Sequence, residues 1–292
     1  MRWSPLIDAT DPERFGGKAV SLARALGAGL PVPPGLALAD SFVAAIAQGH
    51  RAATAELAQL PLPCTAELAV RSSAVGEDSA SASFAGQHRS ELGVLPGEPL
   101  REAVRAVWRS GFREGALGYR ARLGLDPSPR MGVVIQPLIN AGVAGVMFTR
   151  NPVTGANERL IEAAWGLGDC VVQGRVVPDL YRLSLDGTLI GLTQGAKRTE
   201  ARPLPTVGLA APPVPDERGG APTLNQDELQ ALHNLALQCG QVWKCDHDIE
   251  WAFAQDGTLY LLQHRPITTR SRQRGQDKTQ PRPAASRGTA PP

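Results

Sequence analysis

The chain has 292 residues, 42% of them hydrophobic, enough for one large two-lobed domain or two ordinary ones. Charged residues make up 20% and leave a formal net charge of +2, so there is no global charge signal for nucleic acid or an acidic partner. Aromatics are sparse at 5%, whereas 31 glycines and 25 prolines imply many turns and loops.

The opening stretch MRWSPLIDATDPERFGGK has no apolar core and carries early acids, unlike a signal peptide. No apolar run approaches the roughly 18–20 residues of a membrane span. A soluble, cytoplasmic protein without membrane partners is therefore expected. Cys64, Cys170, Cys239 and Cys245 show no Cys-x-x-Cys or other metal-ligand spacing and read as reduced thiols.

In chain order, residues 16–30 (GGKAVSLARALGAGL) predict a helix opened by a glycine pair and stopped by Pro31-Val-Pro-Pro. Residues 67–73 (ELAVRSS) predict a strand, followed by a Gly/Ser-rich loop to Ser83. Residues 99–123 carry one long helical pattern. Residues 131–137 and 142–149 are apolar and β-branched, as in buried strands, and 159–163 form another. Residues 180–192 predict a hairpin turning at Asp186-Gly187. The Pro-, Ala- and Gly-rich stretch 201–223 reads as a linker between lobes. A helix is expected from Asn225 to about Cys239, then a last hairpin over 247–265. This divides the chain into lobe-forming residues 1–200, a C-terminal lobe 201–269 and a disordered basic tail 270–292.

The last hairpin carries the densest chemistry. If Asp256-Gly257 is a two-residue type I′ turn, Glu250 faces Gln263 and Asp248 faces Arg265, which puts all four on one surface. Ile249, Trp251, Phe253, Tyr260 and Leu262 then take the opposite, core-facing side. Two carboxylates, an amide oxygen and a guanidinium suit Mg²⁺ and phosphate. The plain alternative is a solvated hairpin face with cross-strand ion pairs, and a one-residue slip in register would break the grouping.

DIEWAF followed by LYLLQHRPIT resembles the closing signature of the ATP-binding domain in the phosphoenolpyruvate synthase and pyruvate phosphate dikinase family. GGKAVSLARALGAGLPVPPG, AVRSSAVGEDSASASFAGQ and VVIQPLINAGVAGVMFTRNPVTG with EAAWGLGDCVVQG resemble three further segments of that family, in its order. The resemblance spans about residues 16–268. It implies an α+β ATP-grasp fold, with ATP held between two lobes. It also implies that Lys18 and Arg71 contact ATP phosphates. Glu250 and Gln263 would hold Mg²⁺, with Asp248 and Arg265 supporting the phosphate end. Gln136, Pro137, Leu138 and Ile139 would line the adenine edge, and Glu162 would be an acid near the nucleotide.

The residues themselves support these roles. Lys18 follows two glycines at a helix start, where free N–H groups favour anions, although an exposed lysine is the commoner reading. Arg71 lies inside an apolar strand, where a charge needs a partner. The loop 72–83 is small and flexible enough to close over phosphates but is not a Walker A motif. His88 and His264 read as supporting or surface residues. None of His50, His88, His233, His247 and His264 has the Gly-Gly, Ser/Cys-His-Ala setting of the family's phosphoacceptor. The expectation is an ATP-dependent phosphotransferase, dikinase in type, whose acceptor is a histidine on another chain. A kinase acting on a small molecule and a non-catalytic nucleotide-binding protein are the alternatives.

Overall fold

The computed structural model describes residues 1–76, 89–122, 124, 126, 128–203 and 209–267. The expected tail, from residue 270, and most of the loop 72–83 lie outside them, as does His88. Among the described residues, two antiparallel sheets dominate, with helices against them.

The first sheet is built from the first half of the chain. Strand β1 (Trp3–Pro5) leads into helix α1 (Pro12–Gly27), then β2 (Leu36–Leu38), α2 (Asp40–Ala47) and α3 (Arg51–Leu57). Strands β3 (Leu68–Ala74) and β4 (Ser90–Val94), helices α4 (Glu98–Ser110) and α5 (Glu114–Arg122), and strand β5 (Met131–Pro137) complete it. The order is β1-β2-β5-β3-β4. The apolar run MGVVIQP suits an inner position, and β5 is buried from Met131 to Gln136 with a neighbour on each side.

The second sheet takes β6 (Ala141–Phe148), β7 (Arg159–Trp165), β8 (Asp179–Leu183) and β9 (Leu189–Thr193), with the short helix α6 (Asp169–Val172) after β7. A connection follows with β10 (Arg202–Pro203), β11 (Leu209–Ala210) and α7 (Asp216–Gly219). Helix α8 (Gln226–Trp243) leads to the hairpin β12 (His247–Ala254) and β13 (Leu259–Pro266), which closes the sheet in the order β13-β12-β6-β7-β8-β9.

The expected division at residue 200 is therefore not where the sheets divide. They divide between Pro137 and Ala141, because β12 pairs with β6 from Asp248↔Phe148 onward and draws the C-terminal hairpin into the same sheet as 141–193. The stretch 201–223 is likewise more than a linker. Asp179, fully buried, accepts from Thr223 N and Thr223 Oγ1 and pairs with the buried Lys197, pinning the connection to β8.

Three element boundaries also differ from expectation. The first helix begins at Pro12, because Asp11 caps it by accepting from Glu13 N and Pro12 fits the first turn. It breaks at Gly16, whose φ of 80° and ψ of 169° lie outside the helical region. The pattern over 99–123 resolves into α4 and α5, with Gly111 to Arg113 between them. Helix α8 runs on to Trp243; it opens with a reciprocal capping box between Asn225 and Glu228 and ends at Lys244, in the left-handed conformation. One apolar cluster runs from α1, α2 and the first sheet through Met147, Trp251 and Leu261 to Leu232 of α8, so the two sheets share a core. Among the described residues no helix is long and apolar enough to cross a membrane.

Candidate nucleotide site

A cavity of about 740 Å³ lies between the two sheets, a size suited to a small-molecule ligand. It has a polar end and an apolar end.

At the polar end, Lys18 of α1 and Arg71 of β3 reach from the first sheet to the hairpin of the second. Lys18 Nζ, in a side chain only 3% exposed, donates to Gln263 Oε1. Arg71 Nη2 donates to Glu250 Oε2 at 2.6 Å and to Gln263 Oε1 at 3.1 Å, while Nη1 donates to the Leu262 carbonyl. Burial works to raise the Glu250 carboxyl, but Arg71, Lys18 and Arg265 outweigh it and hold the group below its ordinary range. Arg71 thus has the partner that its apolar strand requires.

The backbone explains how Lys18 gets there. Gly16 passes so close to β3 that a Cβ would stand 2.0 Å from the Ser73 carbonyl oxygen. Ser73 Oγ in turn accepts from Ala19 N at 3.0 Å. The glycine break lets the start of the main helical segment press onto β3 and aims Lys18 into the cavity.

The hairpin register has the expected pairs Asp248↔Arg265 and Glu250↔Gln263. It reaches them by a different route. The loop is three residues, 255–257, closed by Ala254 N to the Thr258 carbonyl at 2.9 Å. A type I′ turn needs positive φ at both central residues; Gly257 has a φ of 84°, but Asp256 does not adopt one. Near the turn the pairing is therefore Phe253↔Leu259 and Trp251↔Leu261, and a bulge between Glu250 and Trp251 restores the expected pairs beyond it. The core-facing set is corrected accordingly. Leu261, not Leu262, is fully buried opposite Trp251, and Leu262 lines the cavity and offers its carbonyl to Arg71.

At the apolar end, Pro137 at the end of β5 and Leu138 and Ile139 in the connection to β6 line the cavity, as does Gln136. Gln136 Nε2 is tied to the Pro33 carbonyl at 2.7 Å. Leu138, Ile139 and Leu262 pack against a small apolar cluster that includes Ala141, Leu167 and Ala252.

Two of the expected residues do not line the cavity. Asp248 lies one step further along β12, opposite Arg265. Glu162 of β7 pairs with Val146, which pairs on its other side with Glu250. Glu162 is therefore on the same sheet face but two strands away, half-buried, with burial pushing its carboxyl up.

Five charged lining residues, Arg89, Glu91, Arg113, Asp169 and Arg175, had been given no role. Asp169, at the start of α6, pairs with Arg175 and accepts from Gln173 Nε2 at 2.6 Å; burial nevertheless raises its carboxyl. An acid directly after Gly166-Leu-Gly168 was the available signal. Arg89 and Arg113 had no local pattern to mark them. The described lining carries six cations, Lys18, Arg71, Arg89, Arg113, Arg175 and Arg265, against the acids Glu91, Asp169 and Glu250. Such a balance concentrates an anionic ligand.

Residues 38–286 match the family model described as pyruvate phosphate dikinase, AMP/ATP-binding domain. The chain is 34% identical over 290 residues to the prodigiosin synthesizing transferase PigC of Serratia marcescens, covering 90% of this chain and 32% of that protein. It is 39% identical over 209 residues to a probable phosphoenolpyruvate synthase of Methanothermobacter thermautotrophicus, covering 69% and 30%. It is 34% identical over 265 residues to a rifampicin phosphotransferase of a Streptomyces species, covering 90% and 29%. The chain thus spans about a third of the length of these relatives. Among solved structures, an L-amino acid ligase from Bacillus licheniformis matches with a TM-score of 0.41 at 15% identity, covering 87% of this chain and 43% of that one. D-alanyl-alanine synthetase A from Vibrio cholerae matches with a TM-score of 0.37 at 12% identity, covering 93% and 60%. The fold is α+β, and the chain belongs to the family of pyruvate phosphate dikinase AMP/ATP-binding domains.

Proposed function

We propose that the chain binds Mg²⁺–ATP in this cavity and passes phosphate from it to an acceptor outside the sequence. The observation that carries the reading is the meeting of Lys18 and Arg71 with Glu250 and Gln263 at one end, while the apolar connection 137–139 lines the other. The purine would lie against Leu138 and Ile139, and the phosphates would run toward Lys18, Arg71 and Arg265.

The donor set fits a hard cation. Glu250 and Gln263 offer only carboxylate and amide oxygens, with Asp248 beside them on the same face. When bound, Mg²⁺ would neutralise charge on the phosphate oxygens. Lys18 and Arg71 hold the very oxygens the cation would need. An arriving phosphate chain would attract both basic groups and release Gln263 Oε1 and Glu250 Oε2 for the metal. Phosphoryl transfer depends mainly on such positioning and charge neutralisation.

Among the described residues no histidine lines the cavity, which supports an acceptor histidine on another domain or chain. Transfer of the β,γ pair to it would release AMP; transfer of the γ-phosphoryl alone would release ADP. A small-molecule acceptor is the second reading. It rests on two of the relatives, named for prodigiosin synthesis and rifampicin phosphorylation.

Calorimetry with ATP, with and without EDTA, tests binding; no heat at millimolar ATP would remove the proposal. ATP labelled separately at the β and γ phosphates then tests the acceptor. Slow hydrolysis alone, with AMP formed when a histidine-bearing domain is added, fits the main reading. Label stable on a histidine of this chain would refute it. Rapid ADP formation with a small metabolite would favour the second.

A further inference from the structure

On the side of the hairpin opposite Glu250 and Gln263 lies a second group of chemistry-bearing side chains. Cys245 follows α8, His247 opens β12, and His264 on β13 stands across from Ile249. The thiol sulfur and one ring nitrogen from each histidine lie within 4.8 Å of one another. His247 Nδ1 is 2.8 Å from His264 Nε2, and Cys245 Sγ is 3.7 Å from His247 Nδ1. Both histidines are buried, at 1% and 3% exposure, whereas Cys245 reaches the surface.

We propose that Cys245, His247 and His264 bind a transition-metal ion of the Zn²⁺ class, with water in the fourth position on the exposed Cys245 side. A thiolate and two imidazoles are the donor set of such an ion and not of Mg²⁺. Tetrahedral Zn²⁺, with bonds of about 2.3 Å to sulfur and 2.0–2.1 Å to nitrogen, separates a sulfur from a nitrogen by about 3.5 Å and two nitrogens by about 3.3 Å. The Cys245–His247 sulfur–nitrogen distance of 3.7 Å already fits, and the sulfur, within 4.8 Å of the His264 nitrogen, must close on that ring by up to about 1.3 Å. The two rings must part by about half an ångström from 2.8 Å.

The surroundings suit ligation. Ser21 Oγ stands 3.2 Å from His264 Nδ1, the outer contact that holds a metal-binding imidazole in the tautomer presenting Nε2. Trp243 stacks on the same ring at 3.7 Å and fixes its plane. His247 Nε2 is buried without a hydrogen-bond partner among the described residues. On binding, the thiol proton leaves to solvent. The proton shared between the rings moves to the far nitrogen of its own ring, which turns both lone pairs toward the ion. The ion would clip the end of α8 to the hairpin whose other face carries Glu250 and Gln263. The site does not depend on the proposed ATP chemistry.

The test is a Co²⁺ titration of the full chain in excess Mg²⁺ without nucleotide, followed by displacement with Zn²⁺. One equivalent should give a thiolate-to-cobalt charge-transfer band and tetrahedral ligand-field bands, and Zn²⁺ should abolish both. Cys245→Ser should lose the charge-transfer band and bind at least about tenfold more weakly, while Cys64→Ser should match the parent. No thiolate band in the parent, or the same band in Cys245→Ser, would overturn the proposal and leave a hydrogen-bonded histidine pair. If Cys245→Ser does not fold, alkylation of the parent read by mass spectrometry decides. Zn²⁺ should slow modification of Cys245 at least about tenfold; an unchanged rate overturns the site.

Discussion

Arg71 on β3 and Glu250 on β12, 179 residues apart in sequence, meet at 2.6 Å across the cavity and tie the two sheets together. Their side chains are 12% and 19% exposed, so neither charge could be left alone at little cost. The same contact occupies the oxygen that the proposed cation would use. Stability and the proposed ligation therefore draw on one group.

Glu250→Gln keeps the shape and removes the charge. Mg²⁺-dependent turnover should fall by about 100-fold, and unfolding free energy by about 1–3 kcal/mol as Arg71 loses a charge-assisted bond. Steady-state assays and urea melts measure both. Turnover equal to the parent would take Glu250 out of the site.

Trp251→Ala should act through the core. Trp251 is fully buried beside Leu261, and its loss should cost about 3–5 kcal/mol. Denaturant titration checks this. A small cost, combined with a large one for Glu250→Ala, would mean that the two faces of β12 have been exchanged.

Gly16→Ala should be poorly tolerated. The φ of 80° and the approach of a Cβ to 2.0 Å from the Ser73 carbonyl oxygen leave no room without moving α1 off β3. A loss of about 1–3 kcal/mol is expected, together with weaker ATP binding because Lys18 is displaced. Gly27→Ala is the control. It has open space around it and should be neutral or stabilising by up to about 1 kcal/mol. Equal effects from the two variants would discount the close approach.

The buried histidine pair sets an acid window in the metal-free protein. Burial lowers His247 from 6.5 to about 4; burial, then His247 and Arg24, lower His264 to about 3. Their depressed folded values mean that the unfolded chain takes up protons first. Stability should therefore be full above pH 6.5 and fall as pH drops toward 4 and then 3. Urea melts across that range, compared with His264→Gln, should show a shallower fall in the variant. Parallel curves would place the sensitivity elsewhere.

Local signals were legible wherever chemistry and geometry lay within a few residues. The apolar run at 131–137 read correctly as a buried strand, and the start of α8 was expected at Asn225, its N-cap. The pairs Asp248↔Arg265 and Glu250↔Gln263 were also read correctly, although two departures cancel beneath them. The three-residue loop shifts the register by one, and the bulge shifts it back. Alternation shows which residues share a face but not where an extra residue is absorbed.

The sequence by itself determined the family through its ordered segments, the β-rich hairpin at the C-terminal end, and the charged set on one of its faces. Only the tertiary structure decided that β12 joins β6, so that the two sheets divide between Pro137 and Ala141. It alone brought Lys18 and Arg71 to Gln263, placed Glu162 two strands away from Glu250, and gathered Cys245, His247 and His264. The reason is physical: helix and strand periodicities act over a few residues, whereas these contacts join segments many residues apart. Such contacts are fixed by how two sheets bury a shared core, and no local pattern records that.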